Sequence, residues 1–312
     1  MPIQLSLICP VYKVAEFIPA LMQSLLIGVN TDQVEIIFVD DCCPENSIDI
    51  CETFILENAK KIKFNSTIIK QSQNKGQAAA RNAALLIAKG KYIGFIDSDD
   101  AIAANYWDVL YPYVQAAQKD IIEFNFQEFT SILPLCDSSE TTELSGSNLT
   151  LFDTGFFVWT RLYKKEILKG LKFPESLIYE DIYYNIHAFS MAESIVRLSN
   201  SLVFYRKRAG STTSGRTSSY SNLLLNMVNS VKATLANYDK KDVVVAQVAR
   251  YSLLVSLKGF TIKERADRKV FFNRCKKINL SFKNDFNKSN NSIIAALKFK
   301  LSYFVCLIGR FL

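Results

Sequence analysis

Tyr92-Ile93-Gly94-Phe95-Ile96-Asp97-Ser98-Asp99-Asp100 is a short apolar run that ends abruptly in three carboxylates within four positions. Such a run, bounded by charge, reads as a buried strand whose carboxyl end the acids mark. Upstream the same pattern repeats. Residues 3–9 are β-rich and stop at Pro10, residues 34–39 run into Asp40-Asp41, and residues 66–69 form a shorter strand. Between them, residues 15–27, 47–59 and 77–88 read as helices, the first two with apolar side chains at three-to-four spacing and the last Ala-rich, with Gly76 before it and Gly90 after it. Near-continuous apolar strands alternating with helices predict an α/β fold with a mainly parallel central sheet flanked by helices. In open sheets of this kind ligands bind outside the carboxyl ends of the strands. Pro10-Val11-Tyr12, Asp40-Asp41 and Asp97-Ser98-Asp99-Asp100 then converge on one edge.

Composition narrows the class. With 312 residues, 49% hydrophobic and 21% charged, and only 11 Gly and 7 Pro, the chain is neither disordered nor collagen-like. Of the 7 Cys, Cys42 and Cys43 are adjacent and Cys9, Cys51, Cys136, Cys275 and Cys306 are scattered without zinc spacing. An odd count without a framework fits free thiols in a reducing cytosol. The single His187 argues against His-rich metal sites and against a Ser-His-Asp triad. The first residues enter a strand directly, without a basic segment or small-residue cleavage site, so a cytosolic protein is expected.

Beyond residue 129 the alternation breaks. Residues 131–147 are polar and read as a flap. Residues 159–168 and 182–192 read as helices and 202–205 as a strand, and the chain from 221 onward reads as helical. Charge is uneven as well. Residues 240–312 carry 16 Lys+Arg against 4 Asp+Glu, and residues 1–239 carry 21 against 26. An acidic body with a basic tail predicts an anionic membrane surface as the tail's partner, in preference to nucleic acid. In residues 293–312, Ile293, Ile294, Leu297, Leu301, Phe304, Val305 and Ile308 share one helical face, and Lys298, Lys300 and Arg310 interrupt the run. That pattern fits an interfacial helix rather than a spanning one; packing on protein or a homodimer is the competing use.

The acidic run carries the sharpest chemistry. Asp97 and Asp99, at i and i+2 of an extended end, point to the same side. Two convergent carboxylates suit a hard divalent cation shared with substrate phosphates. The plainer reading is an acidic turn that caps the helix expected at 105–116. Asp40 and Asp41 can accept hydrogen bonds from a nucleobase or ribose. Asn74-Lys75-Gly76-Gln77 feeds a small-residue helix in which Arg81, one turn in, can reach a phosphate. Tyr179-Glu180-Asp181 opens a further helix, as N-terminal acids that favour the dipole or as a general base.

These segments, with Ala80-Arg81-Asn82, Gly90-Lys91-Tyr92-Ile93, Trp159-x-x-Leu162-Tyr163-Lys164 and Tyr179-Glu180-Asp181, together resemble family 2 glycosyltransferases of the GT-A fold. The resemblance is dense over residues 3–110 and thinner to about 211. It implies a Rossmann-like catalytic domain over 1–215, with a nucleotide-binding half (1–110) and an acceptor-side half (111–215), and a basic helical extension over 216–312. It implies inverting transfer of one hexose or N-acetylhexosamine from a nucleotide-diphosphate sugar, usually UDP-linked. The acceptor would be a hydroxyl of a glycan or lipid-linked glycan in bacterial capsule, O-antigen or lipooligosaccharide assembly, on the inner face of the cell membrane. Carried over residue by residue, Pro10 and Tyr12 line the base pocket, and Asp40 or Asp41 binds uracil or ribose. Arg81, Ser98 and Arg208, the last within Tyr205-Arg206-Lys207-Arg208, meet the nucleotide sugar. Asp97 and Asp99 hold Mn²⁺ or Mg²⁺, Asp181 is the base, and Glu180 and Trp159 serve the acceptor. The family's usual Gly-Ser after Asp40-Asp41 is replaced here by Cys42-Cys43, and no Gln-x-x-Arg-Trp pattern of processive enzymes follows. A haloacid-dehalogenase-like phosphatase, which also uses Asp-x-Asp after a strand, and an inactive GT-A scaffold attached to membrane are the alternatives.

Overall fold

The computed structural model describes residues 2–134, 140–145, 154–175, 180–208 and 259–286, with isolated positions 225, 253, 256 and 257. The chain divides into two compact units. The first comprises Met1–Glu175 with Ala192–Ala209, and the second comprises Ser176–Met191 with Gly210–Leu312.

The first unit is built on one sheet. Its strands are β1 (Leu5–Val11), β2 (Val34–Asp40), β3 (Asn65–Lys70), β4 (Tyr92–Phe95), β5 (Ala101–Ile102), β6 (Ile121–Phe129), β7 (Glu143–Ser145), β8 (Arg161–Lys164) and β9 (Ile195–Arg206). They are ordered β3-β2-β1-β4-β8-β6-β9-β5, with β7 also paired to β9. The helices are α1 (Ile18–Gly28), α2 (Ser47–Glu57), α3 (Gln77–Ile87) and α4 (Tyr106–Ala116).

Every residue of β1 and β2 is buried, as expected of strands covered on both faces. Leu5, Leu7, Cys9 and Val11 join Ile18, Leu21, Met22 and Leu25 of α1 in the main core. Strand alternation turns Ser6 and Ile8 to the other face, where α3 packs against β1 and β2. The alanines at 78, 79, 80 and 84 are buried there; their small side chains let the helix lie close to the sheet.

The α/β class stands, and the parallel pairing has a boundary. The four strands β3-β2-β1-β4 are all parallel. From β8 onward the sheet is mixed: β8 is antiparallel to β4 and β6, and β9 is parallel to β6 but antiparallel to β5 and β7.

Two expectations need correction. Residues 159–168 are not a helix; strand β8 lies between 3-10 turns at Val158–Thr160 and Lys165–Leu168. Its short apolar run suits helix and strand equally by spacing, and ladder bonds to both β4 and β6 decide for strand. Within the flap expected at 131–147, residues 143–145 form β7, which pairs with β9.

A buried ion triad fastens the mixed half. Glu123 on β6 lies opposite Arg161 on β8 and Arg197 on β9, with Oε1 to Arg161 Nε at 2.8 Å and Oε2 to Arg197 at 2.9 Å. Arg161 is fully buried and also donates to Thr154 Oγ1 and to the carbonyls of Gly155 and Phe157. Each charge in the triad thus has a partner, the condition under which burying it is tolerated.

The second unit contains α5 (Glu180–Met191) and α6 (Arg265–Phe286). In α6, Phe271, Phe272, Cys275 and Ile278 are buried, and Phe272 meets Phe260 at 5.0 Å between ring centroids. Among the described residues no helix is long and apolar enough to cross a membrane. The proposed terminal helix at 293–312 lies outside the described residues.

Candidate functional site

In the sheet, Val11 lies opposite Asp40 and Ile8 opposite Phe95. The carboxyl ends of β1, β2 and β4 therefore meet at one edge, and the ladder continues just past them through Asp41 N–H to the Val11 carbonyl (3.2 Å) and Ile96 N–H to the Ile8 carbonyl (3.0 Å). This is the edge on which the sequence placed its acids.

At the end of β2 both carboxylates are buried and receive main-chain donors. Asp40 Oδ1 accepts the Cys43 N–H at 2.8 Å. Asp41 takes the Lys75 N–H on Oδ1 and the Gly76 N–H on Oδ2, each at 2.8 Å. Gly76 has φ +85°, a conformation that costs glycine little, and it leads directly into α3. Asp41 thus ties the loop before α3 to the strand end.

At the end of β4 the donors are side chains. Asp97 Oδ1 accepts from Gln77 Nε2 at 2.7 Å and from Arg81 at 2.9 Å. The Arg81 guanidinium, 3% exposed, also faces the rings of Phe173 and Phe95 at 5.3 and 5.9 Å. Asp99 Oδ2 accepts from Arg208 Nε at 2.7 Å, and the Asp99 carbonyl accepts from Arg206 Nε at 2.8 Å. Both arginines lie over the Phe17 ring at 5.0 Å. Ser98 is buried between the two acids.

Asp100 is a different kind of acid. It is fully buried, and its Oδ1 accepts the Arg206 N–H at 2.8 Å. Burial, and then the charges of Asp97 and Asp99, push its pKa up to about 9, so it is neutral at pH 7. Burial, and then the charges of Cys51 and of the same two acids, hold the Cys9 thiol well above its ordinary value.

The remaining expected residues are placed as follows. Pro10 is buried in β1, and Tyr12 is 38% exposed with Lys13 Nζ 5.4 Å from its ring centre. Trp159 is 5% exposed; it stacks on Tyr205 (5.4 Å, 4°) and on Phe157 (4.9 Å, 27°), and Phe157 carries the exposed ring of the group. Glu180 and Asp181 occupy the first turn of α5 in the second unit, where the Asp181 carbonyl accepts from Asn185 Nδ2 at 2.9 Å. Tyr179 is outside the described residues.

Two contributors were absent from the expected set. Gln77 is the first residue of α3, and its place directly after Gly76 was the available signal. Arg206 stood in the downstream basic motif, but only the pairing of β5 with β9 brings it to Asp99 and Asp100.

The donors present fit a hard divalent cation. Asp97 and Asp99 offer carboxylate oxygens at one strand end, each partly solvent-exposed. Among the described residues no group of three or more His, Cys, Asp or Glu forms a cage. An ion shared between one or two carboxylates and substrate phosphates needs no such cage.

Residues 6–169 match the family described as Glycosyl transferase family 2. The uncharacterized glycosyltransferase EpsJ of Bacillus subtilis is 31% identical over 223 residues, which are 67% of this chain and 62% of EpsJ. The poly(ribitol-phosphate) beta-glucosyltransferase of Bacillus spizizenii is 36% identical over 120 residues, 38% of this chain and 18% of that one. The crystal structure of S. aureus TarS 1–349 in complex with UDP-GlcNAc superposes with a TM-score of 0.78 at 21% identity, covering 99% of this chain and 89% of that 1–349 fragment. That likeness establishes the shared GT-A fold.

Proposed function

The chain belongs to glycosyl transferase family 2, and from that premise we propose that it moves one sugar, with inversion, from a UDP-linked donor to a hydroxyl of a glycan or lipid-linked glycan during bacterial surface-polysaccharide assembly. The observation that carries this reading is the pairing of Asp97 with Arg81 and of Asp99 with Arg208 at one strand edge. Side-chain ion pairs of this kind can exchange partners. When a diphosphate enters, the two guanidiniums can turn to its oxygens, which they suit geometrically. Asp97 and Asp99, no longer paired to the arginines, would then be the residues available to hold a cation.

The base and ribose would lie against Pro10, Tyr12 and Asp40, with Asp41 holding the loop that closes this side. Asp97 and Asp99 would hold Mn²⁺ or Mg²⁺, and Ser98 sits between them. When bound, the cation supplies Lewis-acid stabilisation of the departing diphosphate. Asp181 takes the acceptor hydroxyl proton as that oxygen attacks the anomeric carbon, so configuration inverts in a single displacement. Glu180 assists on the acceptor side, and Trp159 serves there by supporting the exposed Phe157 ring. A hexose or N-acetylhexosamine is the group transferred. By function, rather than by compact unit, we assign catalysis to residues 1–215 and membrane attachment to the basic stretch 216–312, whose last twenty residues would dock the enzyme on the anionic inner face of the cell membrane.

Incubation with Mn²⁺ and a panel of UDP-sugars tests the reading: one donor should saturate the protein and be slowly hydrolysed, and no donor binding would refute it. Asp181→Asn should keep donor affinity while single-turnover transfer falls about 10²-fold or more. Lost affinity with surviving transfer would make Asp181 a binding residue. Liposome co-sedimentation should require anionic lipid and vanish on deletion of residues 293–312; equal binding by the deletion variant assigns the tail to packing or to a homodimer.

A further inference from the structure

Cys42 and Cys43 follow Asp40-Asp41 directly at the end of β2, where the site begins. Cys42 is exposed and Cys43 partly exposed, and both thiols are free. Cys42 adopts φ +53°, an uncommon conformation for a side-chain-bearing residue. In an extended strand, neighbouring side chains point to opposite faces; the left-handed corner at Cys42 removes that alternation. Lys13, at the end of the adjoining strand, has the same φ, and its N–H donates to Cys43 Sγ at 3.1 Å. Ser47 Oγ lies 3.6 Å from the same sulfur. The Cys43 thiol is thus oriented by two polar groups, beside an exposed partner.

Adjacent residues joined by a trans peptide have Cα atoms about 3.8 Å apart, shorter than the roughly 4.4–6.8 Å span of ordinary disulfides. The pair is poorly spaced for a direct S–S bond and better spaced for a third atom bridging two sulfurs. Thiolates favour soft centres. We propose that Cys42 and Cys43 form a two-thiol site for a thiophilic metal or metalloid, and that its occupation closes the nucleotide site. The second clause rests on the donor reading above. The coupling runs through hydrogen bonds already described: Cys43 N–H is held by Asp40, and Cys43 Sγ by the residue after Tyr12. Drawing both sulfurs onto one centre displaces Asp40 and Tyr12 together.

Phenylarsine oxide is the probe. Two As–S bonds form, the As–O bond breaks, and the two thiol protons leave with that oxygen as water; no electrons are transferred. Intact-mass measurement on the full chain should show one phenylarsenic group retained through a glutathione wash and removed by 2,3-dimercaptopropanol. Cys42→Ser and Cys43→Ser should each lower retention about 10²-fold, because only two tethered thiols gain the effective concentration of a chelate. UDP should slow the uptake, and loaded protein should lose UDP binding. Unchanged retention in either variant, or release by glutathione, overturns the site. Retention as expected with UDP binding undisturbed overturns the coupling alone. Absence of UDP binding in untreated protein overturns the donor reading and leaves the thiol site standing.

Discussion

Asp40 and Asp41 at the end of β2 are reached by the N–H groups of Cys43, Lys75 and Gly76, whereas Asp97 and Asp99 at the end of β4 are reached by the side chains of Gln77, Arg81 and Arg208. Both pairs end parallel strands on one edge, and both are the same residue type. The difference lies in what holds them. A main-chain donor is fixed by the fold, so a carboxylate with both oxygens held that way, as in Asp41, belongs to the architecture, whereas Asp40, held through Oδ1 alone, keeps Oδ2 for a ligand. A side-chain donor can rotate away, so its carboxylate can be handed to a ligand. Acids of equal prominence in a sequence can therefore have unequal roles, and the donor type separates them.

Substitutions can break or sharpen this contrast. The largest effect is expected from Asp99→Asn, which keeps the shape and removes the charge: transfer should fall by about 10²–10³-fold, the range for losing one electrostatic stabiliser of a transition state. Its melting temperature should stay near that of the parent, as read by circular dichroism. Asp41→Ala should do the reverse. Leaving the Lys75 and Gly76 N–H groups without their carboxylate should cost about 2–4 kcal/mol in a urea titration, while protein that remains folded still turns over. A catalytically dead but fully stable Asp41→Ala protein would collapse the distinction.

Arg208→Gln comes next. It removes a partly exposed ion pair and a phosphate ligand together, so donor KM should rise by about tenfold, equivalent to about 1.4 kcal/mol, and the loss should shrink at high salt. The smallest effect belongs to Asp100→Asn. The amide oxygen can still accept the Arg206 N–H in that buried place, so stability should change by less than about 1 kcal/mol and activity should be largely kept. A loss as large as that of Asp99→Asn would place Asp100 among the functional acids.

Much of this edge was legible in the sequence because parallel strands carry a strong signal. Both faces are buried, so β1, β2 and β4 read as apolar runs, and the first polar residue marks the end. Asp97 and Asp99 were singled out by that rule, and Arg81 by its place one turn into the small-residue helix after Gly76. The mixed half was less legible. Residues 161–164 form only four strand positions, too few for period two to prevail over period 3.6, and β9 extends seven residues before the stretch 202–205 that stood out. Charged and polar residues at 197, 199, 200 and 201 hid it, yet Arg197 is one of the three members of an ion triad whose other two lie on separate strands. No local pattern encodes such a partner; only the register of β6 with β8 and β9 reveals it. The same holds for Arg206, whose acidic partners Asp99 and Asp100 are more than a hundred positions away.

The way the sheet ends has a colloidal consequence. An open strand edge offers unpaired N–H and C=O groups on which another chain can add itself. Here one margin is β3, where Asn65, Ser66 and Thr67 are exposed and Lys70 is ion-paired with Glu52 at 2.8 Å. At the opposite margin, β5 and β7 are only two and three residues long. Among the described residues neither border gives a newcomer a long apolar template, an arrangement that disfavours edge-to-edge growth of a sheet rich in Ile, Leu, Val and Phe.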